Sequence, residues 1–231
     1  MWQRPIKKTV FTLNVNDFAP QVTELTLPLM SAYAKKIGAE FYIIKERKHP
    51  DWPPVREKFQ VAELAKEMDL DWAIFFDADA LIHPETPDWT LFVGKDTVLH
   101  NGADQASIRW TYDKYFWRDG RNIGSCTWCV IASDWTIDDL WKPIDDLTYD
   151  EILERIHPTV EELNTVIKPS HLIDDFTLSR NIARYGLKFK TIIQLQTEVN
   201  LQGYFFYHIY TVTPEQKAIE LKRVLKEWRI L

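Results

Sequence analysis

Two aspartates that directly follow an apolar segment are the residues of this sequence best placed to do chemistry. Asp77 and Asp79 come after Trp72-Ala73-Ile74-Phe75-Phe76, a run that predicts a strand covered on both faces, as in a parallel sheet. Ligands of open α/β sheets bind outside the carboxyl ends of the strands, and carboxylates this close need a cation, a proton or water between them. The pattern favours Mg²⁺ or Mn²⁺ shared with substrate phosphates. The alternative is a pair of solvated turn residues.

A second pair of acids, Asp174 and Asp175, begins a predicted helix. Phe176 and Ile182 lie on one face of this helix, and Gly186 ends it. Asp174 is well placed to be the N-cap residue, and Asp175 in the first turn complements the helix dipole. These structural roles are the alternative to a catalytic role for the two acids.

The elements before the Asp77 strand predict a doubly wound α/β fold. Strand, helix and strand form a βαβ unit, so the acids follow the third strand of a half-sheet. Pro28 should kink the first helix or delay its start. The predicted elements are, in chain order, a strand over residues 9–14, a helix over 22–38, a strand over 40–45 and a helix over 55–68.

After the Asp77 strand, the predicted strands and helices alternate less regularly. Residues 108–121 interleave basic and aromatic side chains, which fits an acceptor-binding loop or an amphipathic segment with buried rings. His208 lies in a late aromatic segment, where a core position is the simpler expectation. The further predicted elements are a strand near Trp128, helices between residues 134 and 167, strands over 188–193 and 203–210, and a capped helix from Thr213-Pro214 to about Trp228.

The length and composition fit one large α/β domain or two small ones, and we expect one domain because no repeat, low-complexity tract or linker divides the chain. The chain has 231 residues, of which 45% are hydrophobic and 27% charged, as in ordinary globular proteins. A formal net charge of -6 argues against nucleic acid or an anionic membrane as the main partner. No apolar run reaches the roughly 18 residues of a membrane-spanning helix, and no signal-peptide core follows the first residues. We therefore expect a cytoplasmic or otherwise soluble protein without a signal peptide.

Together these residues resemble a glycosyltransferase of the GT-A fold. The resemblance covers most of the chain and is most specific around the D-x-D motif and the helix that Asp174 opens. It implies one GT-A-like domain over residues 1–231, with a Rossmann-like, mostly parallel central sheet and helices on both faces. Approximately the first 100 residues would bind the nucleotide sugar, and the remainder the acceptor. The resemblance rests on residues 9–14, Arg56-Glu57-Lys58-Phe59, Phe75-Phe76-Asp77-Ala78-Asp79, Asn122-Ile123-Gly124, Asp174-Asp175, Tyr185-Gly186 and His208.

The same resemblance implies a donor, a metal and an acceptor. The donor would be a UDP- or GDP-linked sugar, and the acceptor a carbohydrate or glycoconjugate. Mn²⁺ or Mg²⁺ would be held by Asp77, Asp79 and His208, with Asp79 as the firmer ligand. The donor-binding residues that it implies are Thr12, Leu13 and Asn14 beside the base, Arg56 and Lys58 near the ribose or phosphates, and Asp77 with Ala78 near the ribose and metal.

The catalytic base that the resemblance implies is Asp175, with Asp174 as second choice. In inverting members of this fold, an acid at the start of a helix after the acceptor region takes the proton of the acceptor hydroxyl. This chain has Asp-Asp where Glu-Asp is the commonest form. Retaining members similar to glycogenin share the lysine and the D-x-D but carry a different motif in this region. Inversion is therefore favoured over retention.

Two other functions fit part of the pattern. An apolar strand followed by Asp-x-Asp also resembles a haloacid-dehalogenase-type phosphatase, in which Asp77 would be the nucleophile and Asp79 a general acid. That motif normally ends the first strand of its fold, whereas a full βαβ unit precedes it here. A non-catalytic sugar- or nucleotide-binding module would keep the aromatic residues and would not need a base.

Overall fold

A six-stranded sheet forms the centre of the fold. The computed structural model describes residues 4–101, 127–163, 169–210 and 212–231. The strands are β1 (Lys8–Leu13), β2 (Glu40–Ile44), β3 (Trp72–Asp77), β4 (Leu81–Ile82), β5 (Thr97–His100), β6 (Cys129–Ser133), β7 (Lys188–Thr191) and β8 (Phe206–Tyr207). The central order is β2-β1-β3-β6-β5-β7, and β4 pairs with β8 in a separate two-stranded sheet. In this central sheet of the described residues, β6 runs antiparallel to β3 and β5 and the other pairings are parallel, so the predicted mostly parallel sheet is confirmed.

Helices cover both faces of this sheet. They are α1 (Pro20–Lys36), α2 (Gln60–Glu67), α3 (Ile137–Leu140), α4 (Tyr149–Leu163), α5 (Ile173–Tyr185), α6 (Ile192–Glu198) and α7 (Pro214–Glu227). Short 3-10 turns occupy Val15–Asp17, Pro54–Phe59, Trp89–Leu91 and Pro169–Leu172. None of the helices in the described ranges is both long and apolar enough to cross a membrane.

Strand β3 shows why helices cover both faces of the sheet. Successive side chains of a strand point to opposite faces. Ile74 and Phe76 accordingly pack in one cluster with α1, and Ala73 and Phe75 pack in another with α2, α3 and α5. Burying one such phenylalanine contributes about 1.5–3 kcal/mol. The apolar run therefore fixes β3 in the middle of the molecule, and Asp77 is its first polar position.

The C-terminal helix α7 packs against α1 and β4. Val22 of α1, Leu81 of β4 and Leu221 of α7 share one apolar cluster. Thr213 and Gln216 form a reciprocal capping box at the start of α7, as the capped helix predicted from the sequence requires. This packing brings the first turn of α7 over the segment that follows β3.

Several predicted boundaries differ from the structure. The predicted strand over residues 203–210 is wrong except at Phe206–Tyr207, because its partner β4 has only two residues. Pro28 lies inside α1 and does not delay its start. Strands β4 and β5 were not predicted. The interleaved segment 108–121 and Asn122-Ile123-Gly124 lie outside the described residues.

Candidate active site

The acids Asp77 and Asp79 lie on a turn that is anchored to α1. The amide of Ala80 donates to the carbonyl of Asp77 at 3.0 Å, which closes the turn. The Thr26 hydroxyl of α1 donates to the carbonyl of Ala78 at 2.5 Å. Both acids are thus held where β3 ends, the edge of the sheet at which ligands of α/β folds bind.

Asp77, Asp79 and His208 form a group that could bind a divalent metal. One ligand atom from each residue lies within 4.8 Å of the others. His208 reaches this position because β8 pairs antiparallel with β4, with Tyr207 opposite Leu81. Its ring stacks on Trp128, with 5.0 Å between the centroids and 16° between the planes. The structure therefore brings His208 to the acids, beyond the simple core position that its aromatic surroundings suggest.

Two buried lysines pair with these acids. The Lys58 ammonium lies 2.6 Å from Asp77 Oδ1 and 2.5 Å from Asp174 Oδ2. Lys217, in the first turn of α7, pairs with Asp79 Oδ2, while His208 Nε2 lies 3.2 Å from Asp79 Oδ1. Lys58 thereby ties the end of β3 to the start of α5, and Lys217 ties the turn after β3 to α7.

Burial and neighbouring charge shift the pKa values of these groups in opposite directions. Burial alone would lower the pKa of Lys58, but Asp174 and Asp77 raise it above its usual value. Burial raises the pKa of Asp77, and Lys58 offsets this only in part. Burial would also raise the pKa of Asp79, but His208 and Lys217 hold it well below its usual range. Asp79 has two basic partners, whereas Asp77 has Lys58 as a partner and is also near the charges of Asp79 and Asp174.

The second acid pair lies in the first turn of α5. Asp174 is buried, and its Oδ2 accepts hydrogen bonds from Lys58 and from Thr127 Oγ1 at 2.7 Å. Its Oδ1 has no hydrogen-bond partner among the described residues. Asp175 is half-buried and accepts from the Thr127 amide at 2.9 Å. Burial and the charge of Asp174 raise the pKa of Asp175 to about 8.

The predicted N-cap role of Asp174 is wrong. Helix α5 begins at Ile173, and its N-cap residue is Leu172, which makes no side-chain capping bond. The 3-10 turn at Pro169–Leu172 leads directly into the helix. Asp174 is therefore already inside the first turn, and its carboxylate points to Lys58 instead of to the helix amides.

The residues predicted to bind the nucleotide base lie beside the acids. In the β1–β3 register, Thr12 is opposite Phe76 and Leu13 is opposite Asp77. Thr12 Oγ1 and Asn14 Oδ1 are buried and have no hydrogen-bond partner within the part of the chain that the structure describes. Such groups are costly to bury without a partner. Thr12 is fully buried, whereas Leu13 and Asn14 are partly exposed at this edge of the sheet.

The segment after Asn14 has an uncommon backbone. Asn16, Asp17 and Ala19 have positive φ angles of 57°, 48° and 41°. Asparagine and aspartate tolerate this left-handed region, whereas it costs Ala19 roughly 1–2 kcal/mol, and strained backbone of this kind is typical of functional segments. The strained segment thus adjoins the same sheet edge as the acids.

Arg56 has a different environment from the other predicted donor-binding residues. Its guanidinium lies over the rings of Trp52 and Phe59, at 4.7 Å and 5.0 Å from their centroids. Burial lowers its pKa. Ala78, by contrast, is buried between the two acids of the motif, and its carbonyl is the group that Thr26 fixes.

Sequence reasoning missed four residues of this site: Thr26, Thr127, Trp128 and Lys217. Their contacts cross large sequence separations, such as 52 positions from Thr26 to Ala78 and 138 from Lys217 to Asp79. Only Lys217 carried a local signal, because a cation in the first turn of a helix opposes the helix dipole. Such a lysine suggests an acidic partner elsewhere in the fold.

Comparison with known proteins supports the fold. A crystal structure of a glycosyltransferase involved in the glycosylation of the major capsid of PBCV-1 is similar to this chain, with a TM-score of 0.55 and 10% identity. The similarity covers 94% of this chain and 99% of that one. No family model matches the chain, and no curated protein matches it by sequence. The chain therefore has an α/β fold similar to that of a glycosyltransferase.

Proposed function

We propose that this protein is a metal-dependent glycosyltransferase that moves a sugar from a nucleotide-diphosphate sugar to a hydroxyl acceptor. The observation that carries the proposal is the group of Asp77, Asp79 and His208, whose ligand atoms lie within 4.8 Å of one another. The group lies at the ends of parallel strands, in a fold similar to that of a glycosyltransferase. A divalent cation bound there would stabilise the negative charge that builds on the departing nucleoside diphosphate.

The donor set favours Mn²⁺ over Mg²⁺. Carboxylates suit both ions, but Mg²⁺ prefers oxygen ligands, and an imidazole suits transition metals better. Trp128 stacks on the His208 ring, which fixes the plane of the imidazole, and His208 Nε2 lies 3.2 Å from Asp79 Oδ1. We therefore propose Asp77, Asp79 and His208 as the ligands and Mn²⁺ as the preferred ion.

The donor would bind along the ends of β1 and β3. Leu13 and Asn14 are partly exposed at this edge, Leu13 lies opposite Asp77, and we propose that they line the nucleotide base with Thr12 behind them. Lys58 is engaged by Asp77 and Asp174, so its first effect is to position those carboxylates. A UDP- or GDP-linked sugar remains our proposal for the donor, with a carbohydrate or glycoconjugate as acceptor.

Asp175 is the better candidate for the base that takes the acceptor proton. Asp174 is buried and paired with Lys58, whereas Asp175 is half-buried and makes its hydrogen bond to the Thr127 amide. A base with a pKa of about 8 is active only when deprotonated. We therefore expect kcat/KM for transfer to rise with pH up to about 8, and we expect inversion at the sugar.

A screen of nucleotide sugars for Mn²⁺-dependent donor hydrolysis and transfer tests the proposal. We expect turnover of at least one donor, its loss on chelation, and its loss in Asp79→Asn but not in Asp138→Asn, an exposed acid of α3. Asp175→Asn should keep donor binding while transfer collapses. Hydrolysis of an aryl phosphate without nucleotide-sugar turnover would favour the phosphatase. Nucleotide binding without turnover of any donor would favour the binding module.

A further inference from the structure

Lys217 occupies a position that its own helix does not favour. It lies in the first turn of α7, where the aligned peptide dipoles present positive charge and disfavour a cation. The residue is nevertheless buried, with 8% of its surface exposed. Burying an ammonium group requires a compensating partner, and that partner is Asp79 Oδ2.

Both oxygens of Asp79 are already engaged in this arrangement. Oδ2 pairs with Lys217, and Oδ1 lies 3.2 Å from His208 Nε2. A divalent cation that binds Asp79 therefore meets a positive charge already seated on the carboxylate. A metal that takes Oδ2 would displace the ammonium, and a metal that takes Oδ1 would bind against its nearby charge, because two cations on one carboxylate repel each other.

The two lysines of the site differ in the carboxylate partners that remain to them if a metal binds. Lys58 pairs with Asp77 and also with Asp174, so it retains one buried carboxylate if a metal takes Asp77. For Lys217, Asp79 is its one ion-pair partner within the described ranges. Release from Asp79 would leave this ammonium free for another anion, and the donor diphosphate supplies one at the same place.

We propose that Lys217 is a tethered cation that competes with the divalent metal for Asp79 and is transferred to the donor diphosphate when the metal binds. The inference rests on the proposed function and adds a residue that positions Asp79. Without nucleotide, Lys217 keeps the metal affinity low. With a nucleoside diphosphate present, the lysine has a second anion to bind, so metal and donor reinforce each other's binding.

The affinity for Mn²⁺ alone tests the competition, measured on the full chain by electron paramagnetic resonance of the free ion. We expect Lys217→Met and Lys217→Gln to bind Mn²⁺ about tenfold or more tightly than wild type, within the usual range for coupled sites. Lys217→Arg retains the charge and should bind Mn²⁺ as weakly as wild type does. Lys222→Met, on an exposed position of the same helix, is the matched control and should also match wild type.

The Asp79→Asn variant separates this inference from the proposed function. If the neutral Lys217 variants bind Mn²⁺ no more tightly than wild type while Asp79→Asn loses binding, the competition is refuted and the metal site stands. If Asp79→Asn binds Mn²⁺ as wild type does, both the metal site and the competition are refuted. Two different neutral replacements ensure that a folding defect in one of them does not decide the result.

Discussion

Two buried acidic regions of this protein differ in how their charge is satisfied. Glu57 is fully buried, and donors meet both of its carboxylate oxygens. Arg47 Nε and the His49 amide donate to Oε1 at 3.2 and 2.8 Å, and the Lys48 amide and Gln60 Nε2 donate to Oε2 at 3.1 and 2.8 Å. This acid fastens the segment after β2 to the turn before α2.

The acids at the end of β3 and the start of α5 are less completely compensated. Four carboxyl groups share two lysines, and Asp174 Oδ1 has no hydrogen-bond partner in the described ranges. Burial raises the pKa values of Asp77 and Asp175, and the charges of the neighbouring carboxylates raise them further. A fully satisfied buried acid supports structure, whereas a crowded group that lacks positive charge can gain by binding a cation.

The largest expected difference between the two regions is in activity. Asp79→Asn removes the charge of a proposed metal ligand, so the proposed transfer should fall by about a thousandfold, equivalent to about 4 kcal/mol of transition-state stabilisation. Steady-state kinetics with the donor found in the screen would measure it. Glu57→Gln should change kcat by less than about twofold in a sample that remains folded. Equal losses in the two variants would remove the distinction between them.

The reverse difference is expected in stability. Glu57→Gln leaves Arg47 without its charged partner and forces an amide group against backbone donors, so the free energy of unfolding should fall by about 3 kcal/mol. Urea denaturation followed by circular dichroism would measure the loss. An unchanged midpoint in Glu57→Gln would mean that this network does not stabilise the fold.

A smaller effect of pH on stability is expected at Asp175. Its pKa of about 8 in the folded protein lies above the unfolded value of about 4. Its stabilising contribution is therefore fully present below about pH 4 and is lost as pH rises through about 8. At pH 8, Asp175→Asn should be more stable than wild type by about 1–2 kcal/mol, allowing for solvent screening.

Melting curves of wild type and Asp175→Asn between pH 5 and about 9 would test this expectation. The stability advantage of the variant should grow as pH rises to about 8 and level off above it. The same advantage at every pH would show that the Asp175 carboxyl does not titrate there. An exposed acid, as in Asp138→Asn, serves as the control because its environment is open to solvent.

The smallest expected effect concerns the bond that anchors the turn after β3 to α1. Thr26→Val removes the hydroxyl that binds the Ala78 carbonyl, so stability should fall by about 1 kcal/mol and transfer by less than about tenfold. Thr23→Val is the matched control, since its hydroxyl bonds only locally to the Pro20 carbonyl at 3.4 Å. Equal activity losses in both variants would argue against a specific role for Thr26.

The parts of the fold that local patterns encode could be predicted from the sequence. The β3 strand and its acids follow from an uninterrupted apolar run, and α7 follows from the Thr213 cap with Pro214. The sheet class follows from strand and helix alternation in the first 100 residues. These features depend on neighbours in sequence, so they needed no knowledge of tertiary contacts.

The rest depends on contacts that no local pattern encodes. Phe206–Tyr207 is a strand only because β4 lies beside it, and the surrounding aromatic residues suggested a much longer one. The charge balance of the site depends on Lys217, which is 138 positions from Asp79. The inward direction of Asp174 depends on Lys58, 116 positions away. Pairings of this kind are set when the helices pack, so the sequence indicated the acids but not their counter-charges.

A crystal structure with Mn²⁺ and a nucleoside diphosphate tests the central claim most directly. We predict an anomalous scattering peak about 2.1–2.3 Å from carboxylate oxygens of Asp77 and Asp79 and in ligating contact with His208 Nε2, bridged to the diphosphate. An ordered nucleotide with no metal at these residues, or a metal bound elsewhere on the chain, would contradict the account.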